Sequence, residues 1–178
     1  KSDHPWMASP CLESRHQMVP ALLLPLSEGK SFLQSNWSDF NKTYYAVVHG
    51  HLPKDEGIIS SYLVEKGVHK MYSATNPDQR KEGKHAKTAY KVLRKNETHS
   101  LVELNILTGR KHQIRVHLAD KGCPVVGDKK YGNDGKGEKG VKRLALHAAK
   151  LAIKHPYSKK DIVLEARMPK YFKTLVSE

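Results

Sequence analysis

Cysteine is scarce in this sequence: the 178 residues contain two, Cys11 and Cys123, and they form no C-x-x-C pair. Two isolated cysteines indicate neither a disulfide framework nor a zinc ribbon. None of the 11 histidines has the H-x-x-x-H or H-E-x-x-H spacing of a metal site, so we expect no bound metal. Sparse cysteine usage fits a reducing compartment, and we expect a cytoplasmic protein.

Long apolar runs are also missing. No segment approaches the roughly 20 apolar residues that a membrane-spanning helix needs, and no stretch has the pattern of a strongly amphipathic basic helix. The N-terminus does not have the charged-then-apolar layout of a signal peptide. We therefore expect no membrane association. A chain of 178 residues has the length of one domain with a single sizeable core.

Acidic residues are in the minority. The chain has 18 Asp and Glu against 31 Lys and Arg, which leaves a formal net charge of +13. Because such an excess repels itself in the folded state, it favours a polyanionic partner, most simply nucleic acid. An anionic membrane surface is one alternative, and a basic surface kept only for solubility is another.

The spacing of apolar residues predicts an α+β domain built on a mixed, largely antiparallel sheet with flanking helices. Residues 1–41 have no sustained period, apart from a short apolar run at 21–26 that fits a buried strand. Residues 144–154 fit either a helix or a strand, and the glycine-rich stretch 133–140 is predicted to be a surface loop. Alternation predicts further strands at 43–50, 86–94, 99–107 and 161–169, with a short strand and turn in CPVVGDKKYG.

The stretch TGRKHQIRVH concentrates cationic side chains where a predicted strand is followed by a predicted helix. Thr108 can cap a helix that runs to about Asp120, with Gly122 as its C-terminal stop. On such a helix Arg110 and Arg115 would lie about 140° apart, so they cannot point the same way. Arg115 falls among apolar neighbours, where a guanidinium is costly unless it meets a carboxylate or a phosphate. The alternative is that both arginines are solvated on a basic surface.

The same stretch is part of a longer ordered pattern, LVELNILTGRKHQIRVHLADKGCPVVGDKKYG. It resembles the signature of the RluA-type family of pseudouridine synthases, in which alternating leucines precede T-G-R-x-H-Q-I/L-R-V-H and then G-x-P-I/V-x-G-D-x-x-Y-G. Three further segments match family forms: KTYYAVVHG, GKHAKTAYKVL and RLALHAAKLAIKHP. The resemblance covers roughly residues 42–156. It leaves residues 1–41 as a divergent or truncated N-terminal segment of a single domain spanning 1–178.

The resemblance implies a pseudouridine-synthase-like catalytic domain that isomerises uridine to pseudouridine in a structured RNA, with ribosomal or transfer RNA as the partner and no cofactor or metal. In that family an aspartate attacks the nucleoside, the N-glycosidic bond breaks, the uracil turns over and a C–C bond forms. The target base leaves its stack to reach the pocket. Carried over by motif, Tyr44 would pack on the base and Arg115 would pair with the nucleophilic carboxylate. The residues that would shape the pocket or contact the RNA are Lys42, Arg110, His112 and Gln113.

The family's nucleophile lies in H-R-L-D-x-x-T-S-G, and no H-R-L-D occurs in this sequence. Alignment on the run ALLLP places His16 at the aspartate position, where an imidazole cannot form the same carboxylate–arginine pair. Alignment by the distance to Tyr44 instead makes Glu13 the candidate nucleophile. Three hypotheses follow: a working synthase with a displaced carboxylate, a family member that binds RNA without chemistry, and the same fold used as a protein-interaction scaffold.

Overall fold

The computed structural model describes residues 26–37, 39–67, 70–132, 141 and 143–177. Within these residues four helices and seven strands are present. In chain order they are α1 (Leu26–Ser35), β1 (Asn41–His49), β2 (Glu56–Lys66), β3 (Lys70–Ser73), α2 (Pro77–Glu82), β4 (Lys84–Lys95), β5 (His99–Ile106), α3 (Gln113–Asp120), β6 (Leu146–Lys154), β7 (Asp161–Glu165) and α4 (Lys170–Leu175).

The seven strands form one sheet in the order β3-β2-β4-β5-β1-β6-β7, and each neighbouring pair is antiparallel. Helix α3 packs on the face that carries Thr88, because two of its side chains bond to the Thr88 hydroxyl. Helix α4 lies on the opposite face, where the ring of Phe172 is 6.3 Å from that of His147. The predicted α+β architecture with a largely antiparallel sheet is confirmed.

Strands β1, β4, β5 and β7 lie where alternation predicted strands. The ambiguous stretch 144–154 contains β6, which pairs with β1 on one side and β7 on the other. Because β1 and β7 both form hydrogen bonds with the backbone of this segment, it is a strand in spite of the helical spacing of its leucines. Strands β2 and β3 were not predicted. Of the run 21–26, residues 21–25 lie outside the described residues, and Leu26 begins helix α1 rather than continuing a strand.

The predicted cap of α3 is wrong, although its predicted end is right. The helix begins at Gln113, with His112 at the N-cap in a left-handed conformation (φ 54°). Thr108 does not cap it. The Thr108 hydroxyl accepts from the backbone N–H of Lys87 at 2.9 Å and donates to the amide oxygen of Gln113 at 2.8 Å. Gly122 ends the helix with φ 74°, as expected for a residue in the left-handed region.

The segment after α3 runs beside the end of β1 and continues the sheet. The backbone N–H of His49 donates to Pro124 O at 3.0 Å, and that of Val126 donates to Val47 O at 2.9 Å. An isolated bridge joins Val48 to Val125, where a short strand was predicted. Among the described residues, no helix is long and apolar enough to cross a lipid bilayer.

Two glycines near this segment test how tightly the chain is packed there. Gly122 and Gly127 both have positive φ, 74° and 76°. A methyl group at Gly122 meets nothing within 4 Å, whereas one at Gly127 would lie 2.3 Å from Arg143 O. We expect Gly122→Ala to lower the free energy of unfolding by about 1–2 kcal/mol, the cost of left-handed backbone for alanine. Gly127→Ala adds a clash and should cost clearly more in urea unfolding; equal losses would contradict the close packing at Gly127.

Candidate functional site

Gln113 fastens the start of α3 to β4. Its amide nitrogen donates to Lys87 O at 2.8 Å and to the Thr88 hydroxyl at 2.9 Å. Its amide oxygen accepts from the Thr108 hydroxyl at 2.8 Å and from the backbone N–H of Arg110 at 3.0 Å. The residue is 3% exposed and all its hydrogen-bonding positions are used internally. Gln113 therefore positions the loop before α3.

Arg115 binds a carboxylate, as its apolar sequence neighbours required. Its Nε donates to Asp128 Oδ2 at 2.8 Å and its Nη2 donates to Asp128 Oδ1 at 2.7 Å, a bidentate ion pair. The Asp128 side chain is 0% exposed and that of Arg115 is 19% exposed. The carboxylate also accepts from the backbone N–H groups of Lys130 and Tyr131. Burial opposes ionisation, but the hydrogen bonds from Arg115, Tyr131 and Lys130 outweigh it and lower the pKa of Asp128.

Tyr131 extends this ion pair into a network across three elements. Its ring centroid is 4.9 Å from Cζ of Arg115. The Tyr131 hydroxyl accepts from the backbone N–H of Met71 in β3 at 2.9 Å and is hydrogen-bonded to Nδ1 of His112 at 2.8 Å. Burial, helped by the positive charges of Arg115, Lys130 and Lys111, lowers the pKa of His112 to about 4. The imidazole is therefore neutral at pH 7.

Tyr44 lies on the same sheet face as α3. In the register it is paired with Leu104, which is paired with Tyr90, two residues from Thr88. Residues paired across antiparallel strands share a face, as do alternate residues along a strand. Since Thr88 bonds to α3, the side chain of Tyr44 projects from the sheet face on which the helix that carries Arg115 packs. Burial raises the pKa of the Tyr44 phenol, so it stays protonated at neutral pH.

The two other cations singled out in the sequence differ in exposure. Lys42 is 4% exposed; its ammonium donates to the backbone oxygens of Trp37 and Phe40, and burial lowers its pKa. Lys42 thus anchors the entry to β1. Arg110 is exposed at the lip of the loop before α3, and its Nε donates to His85 O at 3.1 Å.

The candidate nucleophile and the residue aligned with the family's aspartate, Glu13 and His16, lie outside the described residues. The carboxylate that Arg115 binds is Asp128, which is buried and already holds four donors. Asp128 is therefore a positioning residue and not a nucleophile. It was not singled out from the sequence, nor was Tyr131. The pattern G-D-x-x-Y-G contains both and was the signal that could have identified them.

His117 is a further buried polar residue of α3. It is 0% exposed, with Nδ1 2.9 Å from the Thr88 hydroxyl and Nε2 3.1 Å from the Ser61 hydroxyl. Burial is the main cause that lowers its pKa to about 4. The side chain joins α3 to β4 and β2 as a neutral imidazole.

No metal cluster marks the site in the part of the chain that the structure describes. No group of three His, Cys, Asp or Glu side chains there could hold a metal ion. A shallow cavity of about 360 Å³ is lined by Tyr45 and Glu103, among others. Tyr45 and Tyr44 are consecutive in a strand and point to opposite faces, so this cavity lies on the sheet face opposite Tyr44.

Comparisons with known proteins bear on this geometry. The family model described as RNA pseudouridylate synthase matches residues 30–120. An uncharacterised RNA pseudouridine synthase of Bacillus subtilis is 37% identical over 164 residues, which are 91% of this chain and 49% of that protein. The ribosomal large subunit pseudouridine synthase D of Zymomonas mobilis is 36% identical over 135 residues, 72% of this chain and 42% of its own.

The structural comparison agrees. The solved structure of human RNA pseudouridylate synthase domain containing 1 superimposes with a TM-score of 0.68 at 28% identity, covering 81% of this chain and 61% of that one. The chain spans about half the length of the curated relatives that it matches.

The Arg115–Asp128 pair leads to a stability prediction. Asp128→Ala leaves the half-buried guanidinium without its carboxylate, and loss of one partner of a buried pair costs about 3–5 kcal/mol. We expect a loss of that order in the free energy of unfolding measured in urea. Glu165→Ala is the matched control, because it breaks the solvent-exposed Lys150–Glu165 pair, and exposed pairs contribute about 1 kcal/mol or less. Similar losses in the two variants would contradict the buried pair.

His117 leads to a pH prediction. In the folded chain its pKa is about 4, below the usual histidine value of 6.5 that we take for the unfolded chain. Between these values the unfolded state binds the proton and the folded state does not, so stability falls as the pH falls from about 6.5 to 4. His117 alone contributes a slope of up to about 1.4 kcal/mol per pH unit. Urea unfolding at pH 7, 6 and 5 should show a smaller slope for His117→Gln, while the exposed-site control His51→Gln follows the wild type. An unchanged slope in His117→Gln would refute the assignment.

Proposed function

The chain belongs to the RluA-type family of RNA pseudouridine synthases, and we propose that it binds a structured RNA and isomerises one of its uridines to pseudouridine. Ribosomal RNA is the first substrate to test, and transfer RNA the second. The net charge of +13 supports a polyanionic ligand. The proposal includes a cytoplasmic location, which the sparse cysteines support, and a reaction without cofactor or metal.

The observation that carries the proposal is the rigidly held guanidinium of Arg115 on the sheet face of Tyr44. The bond to Asp128 uses Nε and Nη2, and Nη1 makes no hydrogen bond to any described residue. A cation fixed in this way can hold a second anion with little loss of side-chain entropy. In the proposed reaction, Arg115 orients the nucleophilic carboxylate through that remaining edge.

The reaction itself is an isomerisation. A flipped uridine approaches the sheet face of Tyr44, with the phenol of Tyr44 packed on the uracil ring. The carboxylate attacks C1′ of the nucleoside and forms a C1′–O bond as the N-glycosidic bond breaks. The uracil anion then turns over, and its C5 attacks C1′ and displaces the carboxylate, so that the C–C bond replaces the C1′–O bond. The proton on C5 is released to solvent and N1 takes up a proton. Glu13 is the proposed nucleophile, since its carboxylate has the required charge and lies at the expected distance in sequence from Tyr44.

A second function is binding of the same RNA without turnover. The observation that favours it is the absence of H-R-L-D from the sequence. Glu13 would have to replace the aspartate of that motif, and because its side chain is longer, its carboxylate would reach a different point. In this case Tyr44 and Arg115 would hold the flipped nucleotide and no bond would break.

Tritium release separates the two functions. The chain is incubated with transcribed ribosomal or transfer RNA that carries tritium at C5 of uridine, and the released label is counted. We expect release by the wild type. Glu13→Gln removes the charge of the nucleophile and should lower the release at least 100-fold. Removal of the nucleophile from other enzymes lowers the rate roughly 10⁴-fold or more. Glu28→Gln changes an exposed carboxylate of α1 and should retain wild-type release.

The other outcomes are equally informative. Wild-type protein that binds the RNA with salt-dependent affinity but releases no tritium is the non-catalytic binder. Release that survives in Glu13→Gln would assign the nucleophile to another carboxylate. No binding and no release with either RNA would overturn both functions.

A further inference from the structure

The sheet face opposite α3 is exposed at Ile58, Ser60 and Tyr62 of β2 and at Lys87 of β4. Ile58 and Tyr62 of β2 are 63% and 40% exposed on this face. They alternate with Ile59 and Leu63, which are buried on the side of α3. Aromatic and apolar side chains exposed together on a sheet are typical of a surface that binds a ligand or another macromolecule.

Two rings on this face are held as a pair. Tyr62 of β2 and His85 of β4 are directly opposite in the register. Their ring centroids are 5.1 Å apart with planes tilted by 46°. The Ser60 hydroxyl lies 2.9 Å from Nε2 of His85 and fixes the imidazole. The pair therefore offers a pre-ordered aromatic surface to solvent.

Two exposed cations, Arg110 and Lys87, lie close to His85. Arg110 donates from Nε to the backbone oxygen of His85 at 3.1 Å, which holds the guanidinium next to the backbone of that residue. Lys87 follows His85 by two residues and so projects from the same face. Among the described residues neither cation forms an ion pair with a carboxylate. Both charges are thus available to an anion next to the rings.

We propose that Tyr62, His85, Lys87 and Arg110, here termed the Tyr62 platform, bind single-stranded RNA that continues from the target nucleotide. Bases stack on aromatic rings whatever their identity, and cations beside the rings neutralise the phosphates. Arg110 lies in the loop before α3 and bonds to the backbone of His85, so it is close to both the start of α3 and the platform. The proposal rests on the proposed function only in taking RNA as the ligand.

The test is binding of a fluorescently labelled 12-nucleotide oligouridine, followed by anisotropy. Tyr62→Ala should weaken binding about 5-fold or more, and Tyr62→Phe should retain it, because stacking needs the ring and not the hydroxyl. The matched control is Tyr157→Ala, which removes an exposed tyrosine in the turn between β6 and β7. It should bind as the wild type does. Thermal unfolding of each variant checks that the fold is retained.

Salt dependence tests the phosphate contacts. Lys87→Ala should lower the slope of log K against log salt by about 0.7, the value for one phosphate of a single strand. Lys160→Ala, an exposed lysine in the same distant turn as Tyr157, should leave the slope unchanged. Photo-crosslinking of 4-thiouridine in the oligonucleotide should map to the peptide that contains Tyr62.

Wild-type affinity in Tyr62→Ala and a wild-type slope in Lys87→Ala would overturn the platform. So would a change of self-association in Tyr62→Ala with RNA affinity intact, since the face would then bind protein. The platform and the proposed isomerisation fail separately. If the wild type releases no tritium, oligouridine binding still tests the platform. If Tyr62→Ala releases tritium fully with an unchanged KM, the platform is refuted and the proposed isomerisation stands.

Discussion

The ion pair between Arg115 and Asp128 is the constraint on which the candidate site depends. The carboxylate has no exposed surface, and four donors surround it: two from the guanidinium and two from the backbone. Because separation of a buried ion pair leaves an uncompensated charge away from water, the pair holds helix α3 and the loop after it in one relative position. Tyr131 carries that constraint to β3 through its bond to Met71. The pair thus fixes the orientation of α3, which the proposed binding of one nucleotide requires.

The first residues of β4 serve both faces of the sheet. Thr88 points to α3, where its hydroxyl accepts from Gln113 and is hydrogen-bonded to His117, while His85 and Lys87 point to the open face. The backbone of Lys87 is held by Thr108, Leu107 and Gln113. Alternate side chains of β4 therefore point to the buried face under α3 and to the exposed aromatic and basic face. Arg110, in the loop before α3, bonds to the backbone of the same strand at His85.

How far the sequence predicts the fold depends on how each element is buried. β1 and β5 are covered on both faces at their centres and have strong apolar patterns, so they were predicted. β2 was not, because its open face carries Ile58 and Tyr62, which break the alternation of apolar and polar residues. Residues 144–154 have helical spacing but form a strand, since β1 and β7 both pair with it. Thr108 has the side chain of a helix cap and instead bonds to β4.

The sequence by itself determined the charge excess, the ordered motifs that identify the family, and the choice of Tyr44 and Arg115 as candidates. Only the tertiary structure decided that Arg115 binds Asp128, that Gln113 is consumed by internal hydrogen bonds, and that the ammonium of Lys42 is buried against Trp37 and Phe40. The physical reason is range. Backbone preference and motif order are encoded over a few neighbouring residues, whereas the partner of a buried polar group is set by how separate elements pack, and no local pattern records that.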